Sequence, residues 1–207
     1  MPEIGEGDDL GALIADAAEL EQGDVLVVSH KVVSKAEGRV VRGDKLETIL
    51  GEAARIVRRR GELVIAETRH GFVCASAGVD ASNAPGEGDL VLLPVDPDAS
   101  ARRLHEQLGV AVIISDSFGR PWRRGTTDVA IGVAGLTPLL DLRGQRDVTG
   151  YELRTTAIAI ADEIAGAAEL VKGKSGGVPV AIVRGLSLTG DGTARDLVMP
   201  AEQDLFR

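Results

Sequence analysis

VIISDSFGRPWRRGTTD, residues 112–128, decides how the chain is read. The run from Val110 to Ile114 is continuously apolar and reads as a buried strand that stops at Asp116. After it comes what reads as a polar, glycine-containing loop. The loop carries Asp116, Ser117, Arg120, Arg123, Arg124, Thr126, Thr127 and Asp128, with the only tryptophan, Trp122, as its packing anchor. A carboxylate and a hydroxyl at the end of a core strand, followed by three arginines, is the layout of a metal and phosphate site in an α/β-type protein. Arginine supplies a planar fork that matches phosphate oxygens. The competing reading is a surface loop of solvated charges.

On either side, helical and strand patterns are mixed. Asp8 or Asp9 caps a predicted helix running to about Glu21, with Leu10, Leu13, Ile14, Ala17 and Leu20 on one face. DVLVVS at 24–29 is a short strand. The polar stretch 30–38 then leads through Glu37-Gly38 into a return strand at Val40 and Val41, as in a hairpin. A second amphipathic helix is predicted over 44–59, where Arg58, Arg59 and Arg60 form a cationic C-terminal turn that suits the helix dipole. Strands are predicted at 62–66, 71–77 and 89–93, and a helix at 98–108. Beyond the opening stretch, VAIGVAG at 129–135 holds two glycines, which inside a strand mark close backbone approach. The longest helix is predicted over 151–172, followed by KGKSGG at 172–177 and a strand at 178–183. The mixture with hairpin signals gives an α+β fold, with mixed and antiparallel sheets and packed helices, rather than a pure doubly wound sheet.

The 207 residues allow one large domain or two small ones, and 44% hydrophobic content supports a core built from Val, Ile, Leu and Ala. A net charge of -9 argues against non-specific binding to nucleic acid or to an anionic membrane. The single cysteine, Cys74, excludes an intrachain disulfide and a cysteine-based zinc site, and reads as a buried hydrophobe. No run of about 18 apolar residues is present, so no transmembrane helix is expected. The acidic N-terminus does not read as a signal peptide, and the expected location is the cytoplasm.

With only three histidines, a metal here would be held by carboxylates, hydroxyls and carbonyls, which suits Mg²⁺ or Mn²⁺. Asp80 and Asp116 are the candidate carboxylates, each following an apolar strand, and Ser117 could add a hydroxyl. Asp80 could equally do no more than shape a turn. KGKSGG is not a phosphate-binding P-loop, because the upstream glycine is absent and it follows a helix. It is either a helix C-cap or a backbone-and-lysine cradle for phosphate. Asp162 and Glu163 read as mid-helix and solvent- or partner-facing.

PEIGEGDDL, DVLVVSHKVVSKAEGR, AGVDASN, LLPVDPDAS, ISDSFGRPWRRGTTDVAIGVAG and ADEIAGAAELVKGK together resemble the coenzyme F420-0:γ-glutamyl ligase family, in order and over nearly the whole chain. The resemblance extends to the stand-alone archaeal enzyme and to the N-terminal ligase half of the two-domain actinobacterial form. The flavin-binding, nitroreductase-like second half of that form has no counterpart here, so residues 1–207 are expected to be a single ligase domain.

The resemblance implies the family's unusual α+β fold and a homodimer. It implies a reaction in which L-glutamate is joined through an amide or γ-glutamyl linkage to coenzyme F420-0, a deazaflavin precursor with a phosphodiester and a lactyl carboxylate. GTP is consumed through an acyl phosphate, with two divalent ions, Mg²⁺ or Mn²⁺, and potassium as a further ion. Carried over by motif, Asp80 and Asp116 are catalytic and bind the first metal, and Ser117 binds the second. Nucleotide contacts fall on Met1, Pro2, Glu3, Ile4, His30, Lys35, Asn83, Gly173, Lys174, Ser175 and Gly176. The physics agrees with that chemistry: phosphorylating a carboxylate makes it an acyl donor, and metal ions neutralise the phosphate charge. Lys35 and the arginines at 120–124 suit phosphates, and Asp80 is expected to face Asp116 across a shared metal. Two departures are noted. Family members usually have a strand and a leucine before PEI, and the 43–60 linker is short. The first motivates an alternative reading, a nucleotide-binding module of the same family with reduced or lost ligase activity.

Overall fold

The computed structural model describes residues 1–205; the last two residues of the expected 1–207 domain lie outside it. The expected α+β architecture is what it shows. Eleven strands fall into four small sheets, with five α-helices packed on them, among the described residues. The chain runs α1 (Leu10–Ala17), β1 (Val25–Ser29), α2 (His30–Ala36), β2 (Val40–Arg42), α3 (Lys45–Glu52), β3 (Ala53–Arg60), β4 (Leu63–Thr68) and β5 (Val73–Ala75). It continues through β6 (Asp89–Val91), α4 (Pro97–Leu108), β7 (Ala111–Gly119), β8 (Thr126–Ala134), β9 (Leu140–Asp141), β10 (Ala157–Ile158), α5 (Ile160–Lys172) and β11 (Val180–Val183).

The central sheet has the order β11-β1-β7-β8. Strands β1 and β7 are parallel, with Ser29 beside Ser115, and the two outer pairs are antiparallel. Both faces are covered, which is why these strands read as continuous apolar runs. Val28, Val112 and Ile114 point into a core shared with α1, α2 and α4. Val27, Ala111 and Ile113 point into a second core under α5. Gly132 confirms the close approach read from VAIGVAG, since a Cβ there would lie 2.4 Å from the Pro97 carbonyl oxygen.

Several expected elements are redrawn. The stretch 116–128 is not one loop. Strand β7 continues through Asp116 and Ser117 to Gly119, and β8 begins at Thr126, so only a short hairpin tip separates them. Ladder bonds to β8 carry the strand past the point where its apolar run ends. Trp122 stands 83% exposed on that tip, which is not the position of a packing anchor. Residues 30–36 form a helix in place of a hairpin arm, and β2 pairs with β6 instead of β1. The predicted 44–59 helix stops at Glu52, where the chain turns directly into β3, paired along β4. Arg58, Arg59 and Arg60 are therefore exposed residues of an edge strand, where charge discourages further pairing, and not a helix cap. The long helix begins at Ile160 and not at 151, which puts Asp162 in its first turn, where it accepts the Ala130 N–H at 2.8 Å. Burial pushes the Asp162 carboxyl up, only partly offset by that hydrogen bond. The first helix is shorter than predicted, ending at Ala17.

Candidate active site

The parallel pairing of β1 with β7 ends at Ser29 and Ser115, and a crevice opens beyond it, where β7 runs on alone of the two. Alternation along β7 then sorts the side chains. Ser115 and Ser117 continue the α5-facing row of Ile113, and Asp116 continues the opposite row of Ile114. A register shift after Ile114 sets Ser117 directly across from Asp128 of β8.

On the α5 side this builds a buried ionic cluster. Lys172, in the last turn of α5, donates to Asp128 Oδ2 at 2.8 Å and to Ser115 Oγ at 2.7 Å. Ser115 donates to Asp128 Oδ2 at 2.8 Å, and the Ser117 hydroxyl donates to its other oxygen. The side chains of Lys172 and Asp128 are 2% and 5% exposed. Burial pushes the Asp128 carboxyl up, but the Lys172 ammonium and the two hydroxyls outweigh it and hold the group below its usual value. Lys174 donates to Ser117 Oγ from the loop beyond α5, and Asn83 Nδ2 donates to the Lys174 carbonyl at 3.5 Å, tying that loop to the AGVDASN segment.

On the other side, His30 at the start of α2 puts Nε2 3.2 Å from Asp116 Oδ1. The alignment is too poor for a hydrogen bond, so this buried nitrogen has no hydrogen-bond partner. The adjacent Lys31 pairs with Asp80 Oδ2 at 2.7 Å and donates to Ser82 Oγ at 2.9 Å. Burial raises the Asp80 carboxyl, but Lys31 and Ser82 together bring it below its ordinary value. Asp80 is anchored by two backbone bonds to Val91, and Lys35 pairs with Glu3 at 2.5 Å.

These groups surround one cavity of about 320 Å³. Of the residues expected from motif, Met1, Pro2, Glu3, Ile4, His30, Lys35, Asn83, Asp116, Ser117, Gly173, Lys174 and Ser175 line it. Gly176 and Asp80 do not; Asp80 reaches the wall only through Lys31. The arginines at 120, 123 and 124 are exposed on the hairpin tip and line none of it, and the cations that do are Lys31, Lys35, Lys172 and Lys174. Lys31, Ser115, Asp128 and Lys172 are in the site and were not singled out from sequence. Lys172 had a signal: it opens KGKSGG at the end of an apolar helix.

A divalent cation fits the chemistry of this wall. Asp116 offers a carboxylate, Ser117 a hydroxyl, and His30 Nε2 an unpaired imidazole nitrogen beside that carboxylate. No three His, Cys, Asp or Glu side chains converge as a metal cage among the described residues. Phosphate oxygens and water would therefore complete the shell, as is usual for Mg²⁺. Lysines, carboxylates and hydroxyls gathered around one cavity are groups with which an anionic ligand could pair.

Comparison with known proteins points to one family. The sequence model for F420-0:Gamma-glutamyl ligase matches residues 1–48 and 43–185. A coenzyme F420:L-glutamate ligase of Methanothermobacter thermautotrophicus is 43% identical over 242 aligned positions, covering 100% of this chain and 96% of the relative. The proteins of that name from Methanopyrus kandleri and Methanocaldococcus jannaschii are 46% and 41% identical, covering 97% and 98% of this chain and 92% of each relative. The chain belongs to the F420-0:gamma-glutamyl ligase family, and it is an enzyme of the ligase class. No described helix is long and apolar enough to cross a membrane.

Proposed function

We propose that this chain joins L-glutamate to coenzyme F420-0, consuming GTP through an acyl phosphate. The observation that carries the reading is the gathering of Asp116, Ser117, Lys172 and Lys174 around one cavity, in a chain with relatives over 40% identical that are named for this reaction. The acceptor carboxylate attacks the γ-phosphorus of GTP, and the bond to the β-phosphate oxygen breaks, releasing GDP. The glutamate amine then attacks the acyl carbon, loses a proton and expels inorganic phosphate, leaving an amide.

In this reading Asp116 and Ser117, with His30 Nε2 beside them, hold divalent Mg²⁺ or Mn²⁺, while Asp80, expected to share that metal, is paired with Lys31 outside the cavity wall and would reach an ion only by giving up that pair. The bound ions supply charge neutralisation and in-line alignment of the phosphates. Lys174 is more than half exposed and is free to pivot from Ser117 onto an incoming phosphate. Lys172 is held by Asp128 and Ser115, which fixes its charge at the floor of the cavity. Lys35 and Asn83 flank the nucleotide, and the 172–177 segment closes over it. Potassium as a further ion and a homodimer, checked by sedimentation, belong to the same reading.

Incubation with GTP, Mn²⁺, L-glutamate and F420-0, followed by mass spectrometry, tests it. The expected product is heavier by one or more glutamyl residues, and GDP release continues beyond one equivalent of enzyme only when both other substrates are present. GDP binding without turnover would overturn the ligase reading in favour of a nucleotide-binding module.

A further inference from the structure

A second cavity, about 570 Å³, lies between α1, α5 and the edge strand β11. Its size is that of a small-molecule pocket, roughly 300–1,000 Å³. Its walls are apolar: Ile14 and Ala17 on α1, Ala167 and Val171 on α5, and Val180 and Ile182 on β11. The one charged side chain on it, Arg184, is already committed, with Nε on Asp24 at 2.8 Å and Nη1 on Glu21. Among its side chains the cavity thus offers no uncommitted charge. As the terminal strand of its sheet, β11 also turns a row of N–H and C=O groups outward. Gly177, Val178 and Pro179 form a wall of this cavity and of the polar one.

We infer that this cavity seats the fused-ring end of the acceptor, with the acceptor's carboxylate end across the shared wall beside Asp116 and Lys172. The inference rests on the ligase reading, because that reading supplies an acceptor with a flat ring at one end and its anionic groups at the other. The apolar walls take the ring faces, and the strand edge takes the polar rim of the ring.

Ala167→Trp and Ala17→Trp fill the cavity from opposite walls, and both alanines are exposed, so the core is left alone. Acceptor affinity is read without turnover, from the change in deazaflavin fluorescence on titration. Each variant is expected to weaken acceptor binding about tenfold or more, equivalent to ~1.4 kcal/mol. GTP affinity and the KM for a truncated acceptor, phospholactate without the ring, are expected to stay at wild-type values. Unchanged deazaflavin affinity in both variants, with ligation intact, would overturn the inference and leave the ligase reading standing. Conversion of a wild-type dimer to monomer by either variant would also overturn it, marking the groove as an interface between copies. A wild-type protein that neither binds the deazaflavin nor ligates it would overturn both readings.

Discussion

Replacing Lys172 with methionine tests the buried ionic cluster directly. The substitution keeps the length and apolar stem of the side chain and removes only the ammonium. Asp128 then remains 5% exposed with two hydroxyl partners and no counter-charge. Removing one partner of a buried pair costs about 3–5 kcal/mol, because the remaining charge has lost both water and its partner. For a chain of this length each kcal/mol moves Tm by about 2–4 °C, so Lys172→Met is expected to melt about 6–20 °C below wild type. The pH dependence has a fixed sign. The Asp128 carboxyl is held below its usual value, so the pair's contribution is full above the ordinary carboxylate range and is lost as pH falls through the lowered value. The gap between variant and wild type should therefore close in acid. The double variant Asp128→Asn/Lys172→Met removes both charges and should recover most of the lost Tm. Thermal melts by circular dichroism read all three proteins. A Lys172→Met melt within about 2 °C of wild type, less than 1 kcal/mol on that scale, would refute the cluster as described. So would a double variant no more stable than the single.

Three further outcomes follow from the same geometry. Asp116→Asn should abolish glutamylation and leave the melt near wild type, since Asp116 faces the cavity and its loss leaves no buried charge unpaired; normal turnover would remove it from the site. Asp162→Asn should raise stability at neutral pH, with the amide oxygen still accepting the Ala130 N–H. Because the Asp162 pKa is raised, its contribution is present below the ordinary Asp value and lost as pH rises through the raised one, so the variant's advantage should vanish in acid melts. Gly132→Ala drives a Cβ to 2.4 Å from the Pro97 carbonyl oxygen, which is backbone and cannot rotate away. The expected cost is about 1–3 kcal/mol, seen as a lower Tm in the same melts with unchanged kcat/KM at low temperature.

Much of the fold was legible because its core strands are buried on both faces. DVLVVS and Val110 to Ile114 are apolar without alternation, and they lie side by side as the parallel pair β1 and β7. The errors share one cause. Where the pattern was polar, local sequence could not distinguish a loop from a strand held by its neighbour. Strand β7 carries Asp116 and Ser117 in extended backbone because β8 supplies the ladder bonds. The 53–60 segment looked helical through Ile56 and Val57, yet it pairs with β4 and leaves both side chains on the exposed edge.

The site was legible by motif and incomplete by physics, and the missing part was the half that only register could supply. Asp116 and Ser117 are neighbours in sequence but face opposite sides of the sheet, so a single motif feeds two different environments. On one side the neighbour is His30, which the family resemblance offered as a nucleotide contact. On the other it is Asp128, eleven residues further on, brought opposite Ser117 by a hairpin that had read as loop. Once that strand is drawn, Asp128 is a carboxylate pointing under α5, and burial demands a cation on the facing helix. The last turn of α5 presents one, Lys172, which sequence alone left open between a helix cap and a phosphate cradle. The three arginines followed the opposite course. They matched phosphate by residue type, but the same hairpin carries them past the end of the crevice to its exposed tip. Residue type nominated the chemistry, and strand register decided which charges could reach it.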